Sequence, residues 1–420
     1  MRKTTRKTRI PGGRAGRTML LIALVDRIGS GLWASVSVLY FTYVTHLSVA
    51  QIGTLAAAAG AVGIAGSPLG GRLADRFPVT RILVTVQLLR AAASLALLTT
   101  DRFALLLLFS AVGSLGDRAS SVLTKLYATR IAGPDRVRYQ ALHRTLANAG
   151  WALGGLAAAA ALALDTTTAY RCLLAGDALT FLLSGLLTLR CAEPPSGRRT
   201  VTTSATPTAP APPRTPWRDR TYLAYVATET VLSLDDAVFK VGLPLWIAHT
   251  GTVPHQLAPL LLVLNNVMVV ALQVPLARFG TTTAAARRLL LPLSAAFALG
   301  GVTMALSATG TALTAGLLLT AAATAFTVAE MLHATVSWEL SVALAPDQAL
   351  GAYLGVHGLA QAAQRGIGPL AVTAAIATGP AGWTLFGAAI ALTCALQHRL
   401  VRGRIEQTPL SVPSVTVSEH

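Results

Sequence analysis

The chain has 420 residues, 53% of them hydrophobic and only 12% charged, which is too apolar for a water-soluble protein of this length. Its formal net charge of +17 would by itself suit a nucleic-acid partner, but the distribution of that charge excludes one. Basic residues crowd the N-terminal tail, the stretch 71–81, the 130s, a central linker and the C-terminal tail, while alternate loops such as 45–51 and 249–256 carry no Lys or Arg. This is the positive-inside asymmetry of a multi-pass membrane protein. Apolar runs of ~20 residues, the length that crosses a bilayer, recur nearly end to end. The expected surroundings are therefore lipid, in the plasma membrane, with both termini cytoplasmic. Arg heavily outnumbers Lys and Ala is abundant, so part of the positive excess reflects genomic bias. The three cysteines, Cys172, Cys191 and Cys394, have no metal or redox spacing and read as free thiols.

Residues 1–17 form a basic tail, followed by an apolar run that resembles a signal peptide. That run contains Asp26–Arg27 and continues to Val44 without a convincing cleavage site, so it reads as a retained first helix, 18–44. In it Asp26, Ser30, Trp33, Ser37 and Tyr40 recur every three or four residues and share one face. Helix 2, about 50–70, carries a small-residue seam at Gly60, Gly63 and Gly66 that suits close packing. A short charged hinge, 71–81, separates it from helix 3, 82–98, which holds Arg90 near its middle. Helix 4 begins at Phe103 and puts Ser110, Ser114, Asp117 and Ser121 on one face, with Arg118 adjacent.

The hinge reads Gly-Arg-Leu-Ala-Asp-Arg-Phe-Pro-Val-Thr-Arg. It resembles the signature loop between helices 2 and 3 of the major facilitator superfamily of secondary transporters: Gly, any three, Asp, a basic residue, any, Gly, then basic residues. Gly71, Asp75 and Arg76 match. Pro78 replaces the second Gly, Val79 and Thr80 stand where basic residues are usual, and Arg81 follows one position later. The resemblance implies twelve helices in two pseudo-symmetric six-helix bundles, an all-α fold with its substrate site between the halves near the bilayer midplane. It also implies that Gly71, Asp75, Arg76 and Arg81 form a conformational gate, with the Asp75 carboxylate beside the start of helix 11 near Gly351.

The remaining segments fit that plan. A basic turn, Gly133-Pro-Asp135, leads into helix 5, 139–164, with Arg144 and Asn148 one turn apart and then Gly150-Trp-Ala-Leu-Gly-Gly155. This resembles the family's exporter signature, with Trp151 in place of its Pro, and reads equally well as a helix-packing seam. Helix 6, 172–189, contains Asp177. Residues 191–217, rich in Pro, Thr, Ala and Arg without apolar periodicity, read as a disordered cytoplasmic linker. It divides a bundle at 18–190 from a second at 218–400. The halves share a faint repeat: Tyr139, His143, Gly154 and Gly155 correspond under one offset to Tyr353, His357, Gly368 and Pro369.

Helix 7, 222–248, holds Glu229, Asp235, Asp236 and Lys240, with Glu229, Asp236 and Lys240 expected on one face and Asp236–Lys240 spaced as a helical ion pair. Helix 8, 257–277, carries Asn265 and Gln273. The loop after it, 278–288, stands where a second signature copy belongs but has no carboxylate. Helix 9 is 289–307. Helix 10, from about 313, contains Glu330, His333, Trp338 and Glu339. Helix 11, from about 351, contains His357, Gln361, Gln364 and Arg365. Helix 12 is 383–397, and 401–420 is a cytoplasmic tail.

No nucleophile elbow, zinc-spaced His pair or phosphate-binding loop is present, so neither catalysis nor a resident metal or cofactor is expected. The chemistry lies in ionisable side chains inside the helices. Each costs at least ~2.5–3.5 kcal/mol at a bilayer centre, so most must face water or one another. Asp26, Asp235 and Glu330 are the candidates for coupling transport to protons. The candidates for lining a central cavity are Trp33, Tyr40, Asp117, Arg144, Asn148, Glu229, Asp236, Lys240, Asn265, Gln273, His333, His357, Gln361 and Arg365. Arg27, Arg118 and Asp177 read as structural, being nearer a membrane edge or beside an opposite charge. Three functions compete: proton-coupled efflux of a small organic molecule by a functional monomer, which leads; import of a polar nutrient or organic anion; and a membrane sensor or scaffold that no longer transports.

Overall fold

A computed structural model describes residues 10–162, 166–194, 215–254 and 257–405. Among these, the chain forms helices and no strands. Twelve rods cross in alternating directions. The first six are α1 (Gly13–Tyr43), α2 in two segments (Val49–Ile64 and Gly66–Arg76), α3 (Val79–Leu97), α4 (Phe103–Ala132), α5 (Arg136–Leu162) and α6 (Thr167–Leu189). The second six begin with α7, which is broken into Arg220–Leu232, Asp235–Ala237, a π turn Val238–Gly242 and Leu243–Thr250. They continue with α8 (Leu257–Ala277), α9 (Thr283–Leu306), α10 (Ala312–Ala343), α11 (Leu350–Ala377) and α12 (Pro380–Ile405).

Side-chain caps fix several starts. Ser48 and Gln51 form a capping box on α2, and the side chains of Thr166, Asp219, Thr282 and Thr311 accept N–H bonds at the starts of α6, α7, α9 and α10. Such caps satisfy donors that the helix itself cannot.

Ten of the twelve rods fall within stretches long and apolar enough to span a bilayer. The other two are α7, whose unbroken pieces are too short, and α11, diluted by His357, Gln361, Gln364 and Arg365. Both face the space between the halves. Their polar side chains, among them Asp235 and Lys240 of α7 and His357 and Gln361 of α11, border that space, where a charge is spared contact with lipid.

The cores differ between the halves. The second half has one continuous apolar core running from Tyr222 to Val401 and including Trp246, Phe297, Phe326 and Trp383. In the first half the core is split. One cluster centres on Met19, Leu83, Leu126 and Tyr127, another on Val36, Tyr40, Leu106 and Leu174. Between them lies a buried polar layer containing Asp26, Gln87, Arg90, Ser120 and Asp177.

Three expectations need correction. The hinge 71–81 is mostly helix: α2 continues to Arg76, and only Phe77 and Pro78 separate it from α3. Residues 13–17 and 401–405, read as tail, are the first and last turns of α1 and α12. Glu193, read as part of a loose linker, holds the start of α3, its carboxylate accepting from Val79 N (2.8 Å), Thr80 N (3.0 Å) and Thr80 Oγ1 (2.6 Å). The rest of the linker, 195–214, and the tail beyond 405 lie outside the described residues.

Candidate transport cavity

Two chambers adjoin at the seam of the bundles, the first lined by both halves and the second mainly by the first half, with Ala362, Arg365 and Gly366 of α11. One, about 440 Å³, is polar and is bordered by Asp26, Lys125, Arg144, Asp235, Glu330 and His333 among others. The other, about 780 Å³, is mainly apolar, with walls that include Trp33, Phe41, Leu55 and Phe109, and Ala362 of α11. Five residues border both: Arg27, Asp117, Arg118, Trp151 and Arg365.

In the first half, one buried guanidinium serves two carboxylates. The Arg90 guanidinium, 4% exposed, donates to Asp26 Oδ1 at 2.7 Å and Asp117 Oδ1 at 3.3 Å. It also bonds Gln87 Oε1 at 3.1 Å and lies 3.9 Å from the centroid of the Phe181 ring. Gly116 lets this side chain pass, since a Cβ there would crowd Arg90 Cγ at 2.6 Å. Asp177 stands nearby and accepts from Ser94 Oγ at 3.0 Å.

In the second half, the buried acid Glu229, 1% exposed, has no Arg or Lys partner among the described residues. Gln397 Nε2 donates to its Oε1 at 2.7 Å, Ser337 Oγ donates to its Oε2, and the Nε2 atoms of His333 and His357 each lie 3.4 Å from Oε2. His333 Nδ1 is 4.0 Å from Asp235 Oδ2. Asp235 borders the polar chamber just beyond the break in α7 at Ser233, whose N–H and hydroxyl both donate to the Glu229 carbonyl, at 3.0 and 2.7 Å. The π turn that follows is a feature often found at functional sites.

One face of the cavity is latched by contacts between the halves. At the start of α11, the N–H groups of Gly351 and Ala352 donate to Asp75 Oδ1 and Oδ2 at 3.0 and 2.8 Å. This satisfies orphan donors at the positive end of that helix. The approach depends on glycine: a Cβ on Gly71 would overlap the Gly351 carbonyl oxygen, and one on Gly355 would meet Ser67 O at 2.8 Å. A second strut joins Arg136 of α5 to Glu339 of α10 in a two-pronged pair, 2.7 and 2.6 Å, with Thr283 Oγ1 on the same carboxylate at 3.0 Å. A third is Lys125, which donates to Ser341 Oγ at 2.8 Å and lies 5.0 Å from the Trp338 ring.

The cavity candidates divide accordingly. Asp117, Arg144, Asn148, Asp236, Lys240, His333, His357, Gln361 and Arg365 border the polar chamber, and Trp33 the apolar one. Four do not border either. Tyr40 is buried and donates to Leu97 O at 3.0 Å, because its helix face turns into the apolar core. Glu229 lies one layer behind His333 and His357. Asn265 donates to Glu330 Oε2 at 2.7 Å and Thr327 Oγ1 at 3.1 Å, and Gln273, fully buried, bonds Met331 O and Thr335 Oγ1, each at 3.4 Å. Glu229 does not share a face with Asp236 and Lys240 either, since the break in α7 separates them; Asp236 and Lys240 pair at 2.7 Å in the open chamber.

Glu330 pairs with Arg144 across the halves. Gly150 and Gly154 pack against the α1 backbone at Leu24 and Ile28, so the partial exporter match serves as a helix-packing seam. Arg76 and Arg81 are exposed. Arg27 and Arg118, read as structural, stand instead near the middle of α1 and α4, on the shared border of the chambers.

Sequence reasoning overlooked Lys125, Arg136, Gln87, Ser337 and Gln397. Lys125 had a signal: it is one of only four lysines in the chain, and it follows a long apolar run. Ser337 and Gln397 are neutral and had none.

Two six-helix bundles around a polar cavity latched at one face define the architecture of a membrane transporter. Residues 19–369 match the Major Facilitator Superfamily, and the chain belongs to that family. No curated protein matches it in sequence. Several solved structures share the fold. A bacterial homologue of the iron transporter ferroportin, in an outward-facing state, aligns with TM-score 0.71 at 14% identity over 94% of this chain and 100% of that one. The proton:xylose symporter XylE aligns with TM-score 0.66 at 14% identity over 92% and 95%. The human organic anion transporter MFSD10 (TETRAN) aligns with TM-score 0.59 at 18% identity over 92% and 99%.

Proposed function

We propose that the chain is a secondary active transporter that exports a small organic molecule by alternating access, driven by protons. The observation that carries this reading is the cavity itself. Its walls come from both halves, and one face is closed by contacts made between the halves: Asp75 with α11, Arg136 with Glu339 and Lys125 with Ser341. Such contacts can be exchanged for equivalents at the opposite face as the halves rock.

Charge supports the orientation. The latched face carries Arg72, Arg76, Arg136, Arg138, Arg218 and Arg220, against Arg102 and Arg171 opposite. By the positive-inside rule the latched face is cytoplasmic, in the plasma membrane, and the form described is outward-facing. An impermeant maleimide applied to intact cells should then spare a cysteine introduced at Thr206. Labelling there would reverse the topology.

Proton coupling rests on the row Asp235–His333–Glu229. Asp235 borders the chamber and its Oδ2 has no hydrogen-bond partner. His333 bridges it to the buried Glu229, and an imidazole can pass a proton between two such groups. Asp26 fits this role less well: it is held by Arg90, the kind of pairing that makes Asp236 structural. Glu330 is tied to Arg144 and Asn265. Export is favoured by the apolar chamber, which suits an amphipathic molecule better than a sugar. Import of an organic anion is the alternative, favoured by the cavity's arginines.

The test is transport of candidate compounds into proteoliposomes under an imposed proton gradient. Wild type should accumulate substrate. Asp235→Asn and His333→Gln should lose accumulation and keep substrate exchange. Normal accumulation by both variants would place coupling elsewhere.

A further inference from the structure

The border between the two chambers carries an arrangement that the alternating-access reading does not require. Arg27 of α1, Arg118 of α4 and Arg365 of α11 all border both chambers, together with Asp117 and Trp151. Each arginine stands near the middle of its helix. Among the described residues none of the three makes an ion pair, while Arg90 engages Asp117 at 3.3 Å and Asp26 at 2.7 Å. All three lie within electrostatic reach of Asp117, and Arg118 is within reach of both Arg27 and Arg365.

Four guanidinium groups thus lie within electrostatic reach of Asp117, and one of them, Arg90, also holds Asp26. Even counting Asp177 as charged, the arginines remain in excess. Gathering like charges at mid-membrane depth is unfavourable, so this arrangement calls for a counter-anion. Guanidinium groups recognise carboxylate, sulfonate and phosphate oxygens with paired N–H donors. Directly beside them, the indole of Trp151 is 44% exposed, and the apolar chamber beyond offers about 780 Å³.

We infer that this neck binds an amphipathic organic anion, its charged head held by Arg27, Arg118 and Arg365 and its apolar body lying against Trp151 in the larger chamber. The inference deepens the transporter reading and rests on it for the claim that the bound anion is cargo. Because Arg27 and Arg118 come from the first half and Arg365 from the second, the anion would join the two bundles at their seam. Its binding would then depend on how the halves are arranged.

The test uses the purified full chain in an uncharged maltoside detergent. Calorimetry compares naphthalene-2-sulfonate, its neutral sulfonamide, 2-naphthylmethylammonium and inorganic phosphate. The sulfonate should bind at least tenfold more tightly than the other three. Arg365→Gln, a change at an exposed side chain, should weaken sulfonate binding by about tenfold or more, the scale of a lost charge-assisted hydrogen bond, with Arg365→Lys intermediate. Trp151→Leu should weaken it by roughly threefold to tenfold while leaving the preference for the anion intact.

Equal or tighter binding of the cation or sulfonamide, phosphate binding as tight as the sulfonate, no sulfonate binding at all, or indifference to Arg365→Gln would each overturn the assignment. Counterflow of labelled sulfonate in proteoliposomes separates the two readings. Arginine-dependent binding without counterflow leaves the anion site standing and removes the transport reading. Counterflow of the cation or sulfonamide, unaffected by Arg365→Gln, does the reverse.

Discussion

The two halves solve the problem of a buried carboxylate in opposite ways. In the first, Asp26 and Asp117 share one guanidinium, Arg90, in an ionic layer that splits the apolar core. In the second, Glu229 is surrounded by Ser337, Gln397 and two histidines, inside a core that remains continuous. Arg90 has a permanent charge, since a guanidinium does not lose its proton in proteins, and it ties both carboxylates into the scaffold. The partners of Glu229 are neutral or titratable. Its surroundings can follow a change in protonation, and this is the property that coupling requires.

That contrast is testable by removing each centre. The largest effect should come from Arg90→Met, which strands two carboxylates in the ionic layer. Breaking one side of a buried pair costs about 3–5 kcal/mol, so thermal unfolding in detergent should show a severely destabilised or unfolded protein. Glu229→Gln should cost less, about 1.5–3 kcal/mol for hydrogen bonds to a lost charge. The folded variant should exchange substrate but fail to concentrate it under a proton gradient. If Glu229→Gln unfolds as readily as Arg90→Met, the two centres are alike and the contrast fails.

Weaker effects follow at the latch and in the open chamber. Asp75→Asn removes a charge from the α11 N-terminus worth about 0.3–1 kcal/mol, up to ~2 when partly buried. The amides of Gly351 and Ala352 should then exchange hydrogen faster by roughly fivefold to thirtyfold at the upper end of that range. Unchanged exchange would remove Asp75 from the latch. Asp236→Asn should change stability by only about 0.5 kcal/mol or less, as expected for an exposed pair one helical turn apart. A larger loss would mean that the Asp236–Lys240 pair supports the break in α7.

Much of this was legible in the sequence, for a physical reason. Membrane helices announce themselves by length and hydropathy, and one glycine–aspartate motif at 71–76 carried the family. The chambers were only partly legible. Charges such as Asp117, Arg144, His333 and Arg365 must avoid lipid and so were found. Which neighbour each would meet depends on helix rotation and on the break at Ser233, and hydropathy reports neither. Tyr40 shows the consequence: its spacing fits the polar stripe of α1, yet its ring lies in an apolar cluster with one bond to Leu97. Arg27 and Arg118 erred the other way, because adjacency to an acid in sequence did not become a pair in space. The neutral groups around Glu229 carried no signal at all.

The central claim is that the two halves rock around this cavity, and spin-label distances at both ends of α2 and α11 test it most directly. One pair would sit at Phe77 and Gln348, beside the latch, and the other at Gly53 and Thr378, at the opposite face; all four positions lie at the ends of these helices or in the turns beside them. On adding a transported compound, the account predicts opposed changes: as the Phe77–Gln348 distance lengthens, the Gly53–Thr378 distance shortens. Distances that stay fixed at both ends, or that lengthen together, would contradict it.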